Sequence, residues 1–164
     1  MRNVPAVLLA VLGLAVCSLA VDSQAADRRE DFWGVIASDS AMPAAGAVRS
    51  AEEWMAIRLL FPGLSKFSLD FTQDALIYAR VPAQVDAGSA VQPLITILGQ
   101  EGNMLKLSIR FDWSIEPLPA SKRLYRLIKI PKHDGPIQIT WELPGAYGQY
   151  AKLLPPMLIP EVSP

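Results

Sequence analysis

Leu105, Leu107, Ile109, Phe111 and Trp113 alternate with Lys106, Ser108, Arg110 and Asp112. Such a run can gather its apolar side chains on one face only as a β-strand, because a helix would scatter them around its circumference. Ile137, Ile139 and Trp141 alternate with Gln138, Thr140 and Glu142 in the same way. Ala75–Val81 and Leu94–Leu98 are apolar at nearly every position, which predicts interior strands. Phe32–Ala37 reads as a first strand and the Ala-, Ser-, Pro- and Gly-rich stretch Ser38–Val48 as a loop.

Gln100-Glu101-Gly102-Asn103 supplies turn residues for a hairpin into Met104, and Pro131-Lys132-His133-Asp134-Gly135-Pro136 likewise joins Leu124–Ile130 to Ile137–Leu143. Ser50-Ala51-Glu52-Glu53 is a capping box: the Ser50 hydroxyl accepts from the N–H of Glu53, and the Glu53 carboxylate reaches back to the N–H of Ser50. The helix it starts, over about residues 51–61, carries Trp54, Ile57, Leu60 and Phe61 on one apolar face and stops at Pro62-Gly63. One early helix followed by hairpin-linked strands predicts an α+β fold. The expected form is a mainly antiparallel β-sandwich or open barrel of about six or seven short strands with the helix packed on it.

The N-terminus has Arg2, an apolar stretch from Val4 to Val21, and small residues at Ser23 and Ala25. That layout predicts a signal peptide over residues 1–25, cleaved after Ala25, and a periplasmic or secreted protein of the bacterial envelope with no stable membrane anchor. An uncleaved anchor is the rival reading, weakened by Pro5, Gly13 and Ser18. Leu14-Ala15-Val16-Cys17 has the outline of a lipobox, but Val16 is branched where a small residue is usual, so Cys17 reads as part of the export segment. Without it the mature chain has no cysteine for disulfides or thiol chemistry. What remains divides into one β-rich domain, 26–143, and an extended proline-rich tail, 144–164.

With 51% hydrophobic and 19% charged residues, the chain can fill a core of its own. Lys plus Arg number 15 and Asp plus Glu 16, a balance that lacks the basic footprint of a nucleic-acid binder. His133 is the one histidine, too few for a multi-histidine metal site, and no G-x-S-x-G elbow accompanies His133-Asp134. Asp70, Asp74, Asp112 and Glu116 could supply paired carboxylates but read as solvated strand ends. Lys122, Arg123, Arg126, Lys129 and Lys132 split between two strand faces and read as solvation and edge protection. Trp33, Trp54, Trp113 and Trp141 read as core residues. No catalytic, cofactor or metal residue is assigned, and the chain reads as a non-enzyme.

Leu153, Leu154, Pro155, Pro156, Met157, Leu158 and Ile159 combine prolines with large apolar side chains. Two readings follow: the segment docks on a partner protein as a preorganised extended peptide, or it covers the domain's own apolar surface. The partner-binding assignment goes to these residues.

Ser50-Ala51-Glu52-Glu53-Trp54, Leu69-Asp70-Phe71-Thr72 leading into Ala75-Leu76-Ile77-Tyr78, Leu105-Lys106-Leu107-Ser108-Ile109 and Leu127-Ile128-Lys129-Ile130-Pro131-Lys132 follow one another in an order that resembles the C-terminal domain of the PrcB family, exported bacterial proteins named after a subunit of a secreted protease complex. The sequence departs from that family at Val85–Pro93, where the family tends to carry a glycine-rich turn. The resemblance implies a non-catalytic domain that binds or stabilises another exported protein, such as a protease, and carries over no catalytic residue. The alternative class is a periplasmic carrier of a small apolar ligand in an enclosed cavity. Intact mass of protein from the native envelope tests the first expectation: a chain beginning at Ala26 supports export with cleavage, whereas a mass including residues 1–25, or lipid on Cys17, overturns it.

Overall fold

A computed structural model describes residues 30–37, 42–61, 64, 68–82, 91–113, 118–143 and 154–162. The leader, Glu116, Leu153 and the side chain of Trp113 lie outside the described residues. In chain order the elements are β1 (Asp31–Ala37), β2 (Ala45–Val48), α1 (Ala51–Ile57) running into a 3-10 turn (Arg58–Leu60), β3 (Asp74–Arg80), β4 (Val91–Glu101), β5 (Met104–Trp113), β6 (Lys122–Pro131), β7 (Ile137–Glu142) and β8 (Met157–Ile159). They build two four-stranded sheets, ordered β1-β6-β3-β2 and β4-β5-β7-β8. The result is an α+β sandwich with α1 on the outer face of the first sheet.

The first sheet is covered on both sides, which is why β3 and β6 are apolar at consecutive positions. On β3, Ala75, Ile77 and Ala79 face the second sheet, while Leu76 and Tyr78 face α1. On β6, Ile128 and Ile130 face the second sheet, and Tyr125 and Leu127 face α1. Each edge strand places a glycine opposite a tyrosine of its inner neighbour: Gly34 on β1 faces Tyr125, and Gly46 on β2 faces Tyr78. The phenol rings lie over these glycines so closely that a Cβ would come within 2.5 Å of Tyr125 Oη and 2.3 Å of Tyr78 Oη. Phe61, at the end of the 3-10 turn, packs on both tyrosines, with ring centroids 4.8 Å from Tyr125 and 5.9 Å from Tyr78. Ala45-Gly46-Ala47-Val48 has the composition of a loop, yet it pairs with β3 as an edge strand. Only the ring of Tyr78, remote in sequence, explains the glycine.

The second sheet has one dry face. Leu105, Leu107, Ile109 and Phe111 of β5 and Ile137 and Ile139 of β7 point at the first sheet, and Trp141 stacks on Phe111 with centroids 5.9 Å apart. The β4–β5 hairpin turns through Gly102-Asn103, with Gly102 at φ +58, as a two-residue turn with glycine first requires.

Three expectations need correction. β4 is an edge strand, not an interior one: only Val91 and Pro93 are buried along it, and a bulge between Ile97 and Gly99 leaves Leu98 exposed. β6 and β7 form no hairpin, because residues 132–136 carry the chain from one sheet to the other and bring β7 parallel to β5. β6 is therefore central, and its basic residues protect no edge.

Trp54 is half-buried, stacked on Phe61 with centroids 6.4 Å apart. Trp54→Ala is accordingly expected to cost about 1–3 kcal/mol in urea unfolding, less than the ~3–5 of a fully enclosed ring. Gly46→Ala, which would relieve chain entropy in an open strand, is expected to destabilise by about 1–3 kcal/mol through the displaced Tyr78 ring. Burial pushes the phenols of Tyr78 and Tyr125 above their ordinary value. Their contribution to stability is thus full below pH ~10 and declines as pH rises beyond it, measurable as a falling urea midpoint in alkaline titration.

Candidate functional site

The tail closes the second sheet. β8 pairs antiparallel with β7, matching Ile137 with Ile159, Gln138 with Leu158 and Ile139 with Met157. Leu154 is buried, and Met157 and Ile159 pack against the core between the sheets. Pro155 and Pro156 are exposed, and Leu158 points outward at 60% exposure. Leu154, Met157 and Ile159 thus pack on the domain's own core, while Leu158 and both prolines remain exposed.

Its seat is built from distant residues. The indole N–H of Trp141 donates to the carbonyl of Pro155 at 3.0 Å. Arg49, buried at the β2–α1 junction, donates Nη1 to the carbonyl of Pro160 at 2.7 Å and Nη2 to that of Gly135 at 2.9 Å. The N–H of Val162 donates to the carbonyl of Asp134 at 2.8 Å. Desolvation lowers the pKa of Arg49, with Glu53 and Asp134 acting the other way. No local pattern marks Arg49, since its acceptors lie 86 and 111 residues away in sequence.

The helix presents a second surface. Glu53 N–H donates to Ser50 Oγ at 3.1 Å as the capping box requires, but the Glu53 carboxylate accepts from the N–H of Arg49, at 2.6 Å, instead of that of Ser50. No residue of α1 is fully buried. Trp54, Ile57 and Phe61 hold the sheet, whereas Leu60, assigned to the same face, is turned outward by the 3-10 geometry. Met55 on α1 and Leu59 in the 3-10 turn are 55% and 85% exposed. The sequence pattern assigns the apolar face to Trp54, Ile57, Leu60 and Phe61 and leaves Met55 and Leu59 off it.

Most of the described charged candidates have structural partners, and Lys122 is exposed. Asp70 Oδ1 accepts from the N–H and hydroxyl of Thr72, which lowers its pKa, and Asp74 Oδ2 accepts from the N–H of Asp70. Arg126 pairs with Asp31, Lys129 with Glu30 and Lys132 with Asp134, and the buried Arg123 donates to the carbonyls of Ala120 and Lys122. The ring of His133 lies 3.3 Å from the carbonyl of Pro136. Asp112 lines an open depression of about 370 Å³ with Arg110, Phe111, Glu142 and Leu143, where Ser108 Oγ donates to Glu142. Arg110, Asp112 and Glu142 line it with charge beside Phe111 and Leu143. Trp33, assigned to the core, is 66% exposed on β1, because Trp33 sits on an edge strand, paired only with β6.

No family model, curated protein or solved structure matches the chain.

Arg49→Met should cost about 1.5–3 kcal/mol, the scale of hydrogen bonds from a charged group. Amide exchange locates the effect: protection should fall first at Val162 and along β8, while that of β3 follows global stability.

Proposed function

We propose that the chain is a non-catalytic exported domain that binds or stabilises another protein of the bacterial envelope or its secretions, a protease being the partner class suggested by the PrcB-like order of its elements. The observation carrying this reading is the exposure of Met55, Leu59 and Leu60, all within α1 and its 3-10 extension, on a segment that Trp54, Ile57 and Phe61 anchor to the first sheet. Exposed large apolar side chains gathered in one segment mark contact sites more often than ones scattered singly do. The helix face supplies the contact, and the tail supports the domain behind it. A carrier of apolar ligands is less well supported: facing side chains such as Ile77, Leu107 and Ile109 are closed to solvent, and the depression near Glu142 is open with charged walls.

The test is a photo-crosslinking residue at position 59 in cells that make the protein, followed by binding of the captured partner to purified chain. Leu59→Glu should leave the urea midpoint within about 0.5 kcal/mol, as surface changes do, and weaken binding at least about tenfold, or ~1.4 kcal/mol. Unchanged affinity would remove the helix face from the interface.

A further inference from the structure

We infer that Trp33 and Asp31 on β1, with Arg126 on β6, form a binding subsite for an uncharged pyranose ring, one unit of a neutral polysaccharide. The subsite is independent of the α1 segment and of the tail.

β1 is an edge strand whose register sets Asp31, Trp33 and Val35 opposite Ile128, Arg126 and Leu124. Residues opposite one another in paired strands share a side of the sheet, here the inner side, where Ile128 and Ile130 meet the second sheet. Trp33 nevertheless stays 66% exposed, because β4, the nearest edge of the second sheet, packs chiefly over β6. The other described indoles are engaged: Trp54 stacks on Phe61, and Trp141 stacks on Phe111 and donates its N–H to Pro155. Trp33 has neither a ring partner nor an acceptor for its N–H among the described residues. Its backbone is held from the other side of the sheet, where Phe32 packs into the cluster beneath α1 and the Tyr125 ring lies over Gly34. The indole is thus an unused aromatic surface on a fixed support.

The charges beside it select the ligand. Arg126, directly opposite Trp33, holds Asp31 through Nε, at 2.7 Å, and through Nη2. Bidentate pairing fixes both planar groups, and both side chains remain partly exposed. Each carboxylate oxygen keeps a second lone pair, and Nη1 of Arg126 remains to donate outward. Next to them Lys129 pairs with Glu30. Charge therefore cancels within the patch, so neither a cation nor an anion is drawn to it. An ammonium over the indole would meet Arg126, and a phosphate would meet Asp31. A sugar ring meets neither obstacle. Its C–H groups carry partial positive charge to the negative face of the indole, and its hydroxyls both donate to Asp31 and accept from Arg126.

Titrating the isotope-labelled chain with cellohexaose, chitohexaose and maltohexaose, and following the indole N–H resonances, tests this. The Trp33 resonance, identified by its loss in Trp33→Phe, is expected to move saturably with at least one of these sugars while those of Trp54 and Trp141 stay in place. Trp33→Ala should weaken binding of that sugar at least about tenfold, the scale of a lost aromatic contact, with the urea midpoint unchanged because the ring is largely outside the packed interior. Asp31→Ala should weaken it as well. Tetramethylammonium and inorganic phosphate serve as charged controls. The inference is overturned if the Trp33 resonance answers to none of the three sugars, if it moves with either charged control instead, if it moves with protein concentration alone, as a contact between copies would make it, or if sugar binding survives Trp33→Ala. The resonance of the unaltered chain decides the matter even where a variant folds poorly.

Discussion

The aromatic contact of Phe61 with Tyr78 and Tyr125 fixes the first layer of the molecule. Both tyrosines come from inner strands, and each lies over a glycine of the adjoining edge strand. Phe61 packs on both rings from the end of the 3-10 turn, tilted against Tyr78 and edge-on to Tyr125. A helix of seven residues has no stability of its own. Its position is set by this contact, by Trp54 behind it, and by the Ser50 cap.

The second layer depends on a different device. The crossover after β6 passes so close to the β4–β5 turn that a Cβ on Gly135 would lie 2.2 Å from the carbonyl oxygen of Asn103. Arg49 then binds the carbonyl of Gly135 together with that of Pro160. One guanidinium thereby ties the first sheet to the crossover and to the tail. Burying that charge is unfavourable by itself, and the two carbonyl dipoles, with the fields of Glu53 and Asp134, offset the loss of water.

What the sequence disclosed follows from the range of each signal. Period-two patterning found β5 and β7, and the Ser50 cap found α1, because those signals lie within a few residues. β2, the edge position of β4 and the parallel β5–β7 pair depend on partners far along the chain, such as Tyr78 for Gly46. β6 misled in an instructive way: its lysines and arginines look like edge protection, yet Asp31 and Glu30 pair with Arg126 and Lys129 from the neighbouring segment. For the candidate site, the tail's composition announced an extended apolar segment but not its acceptor, since Arg49 carries no pattern that points to Pro160.

The two surfaces differ in what they cost the fold. Leu154, Met157 and Ile159 gain by leaving water against the domain's own core, so they contribute to its stability. Met55 and Leu59 gain less in the isolated domain, being 55% and 85% exposed. Exposed apolar side chains on a segment already anchored by Trp54, Ile57 and Phe61 add little stability and lower solubility, so folding accounts for them poorly. Under the proposed function a contact outside the chain accounts for them, and the sandwich, held by Phe61 on one side and by Arg49 on the other, is the support behind that face.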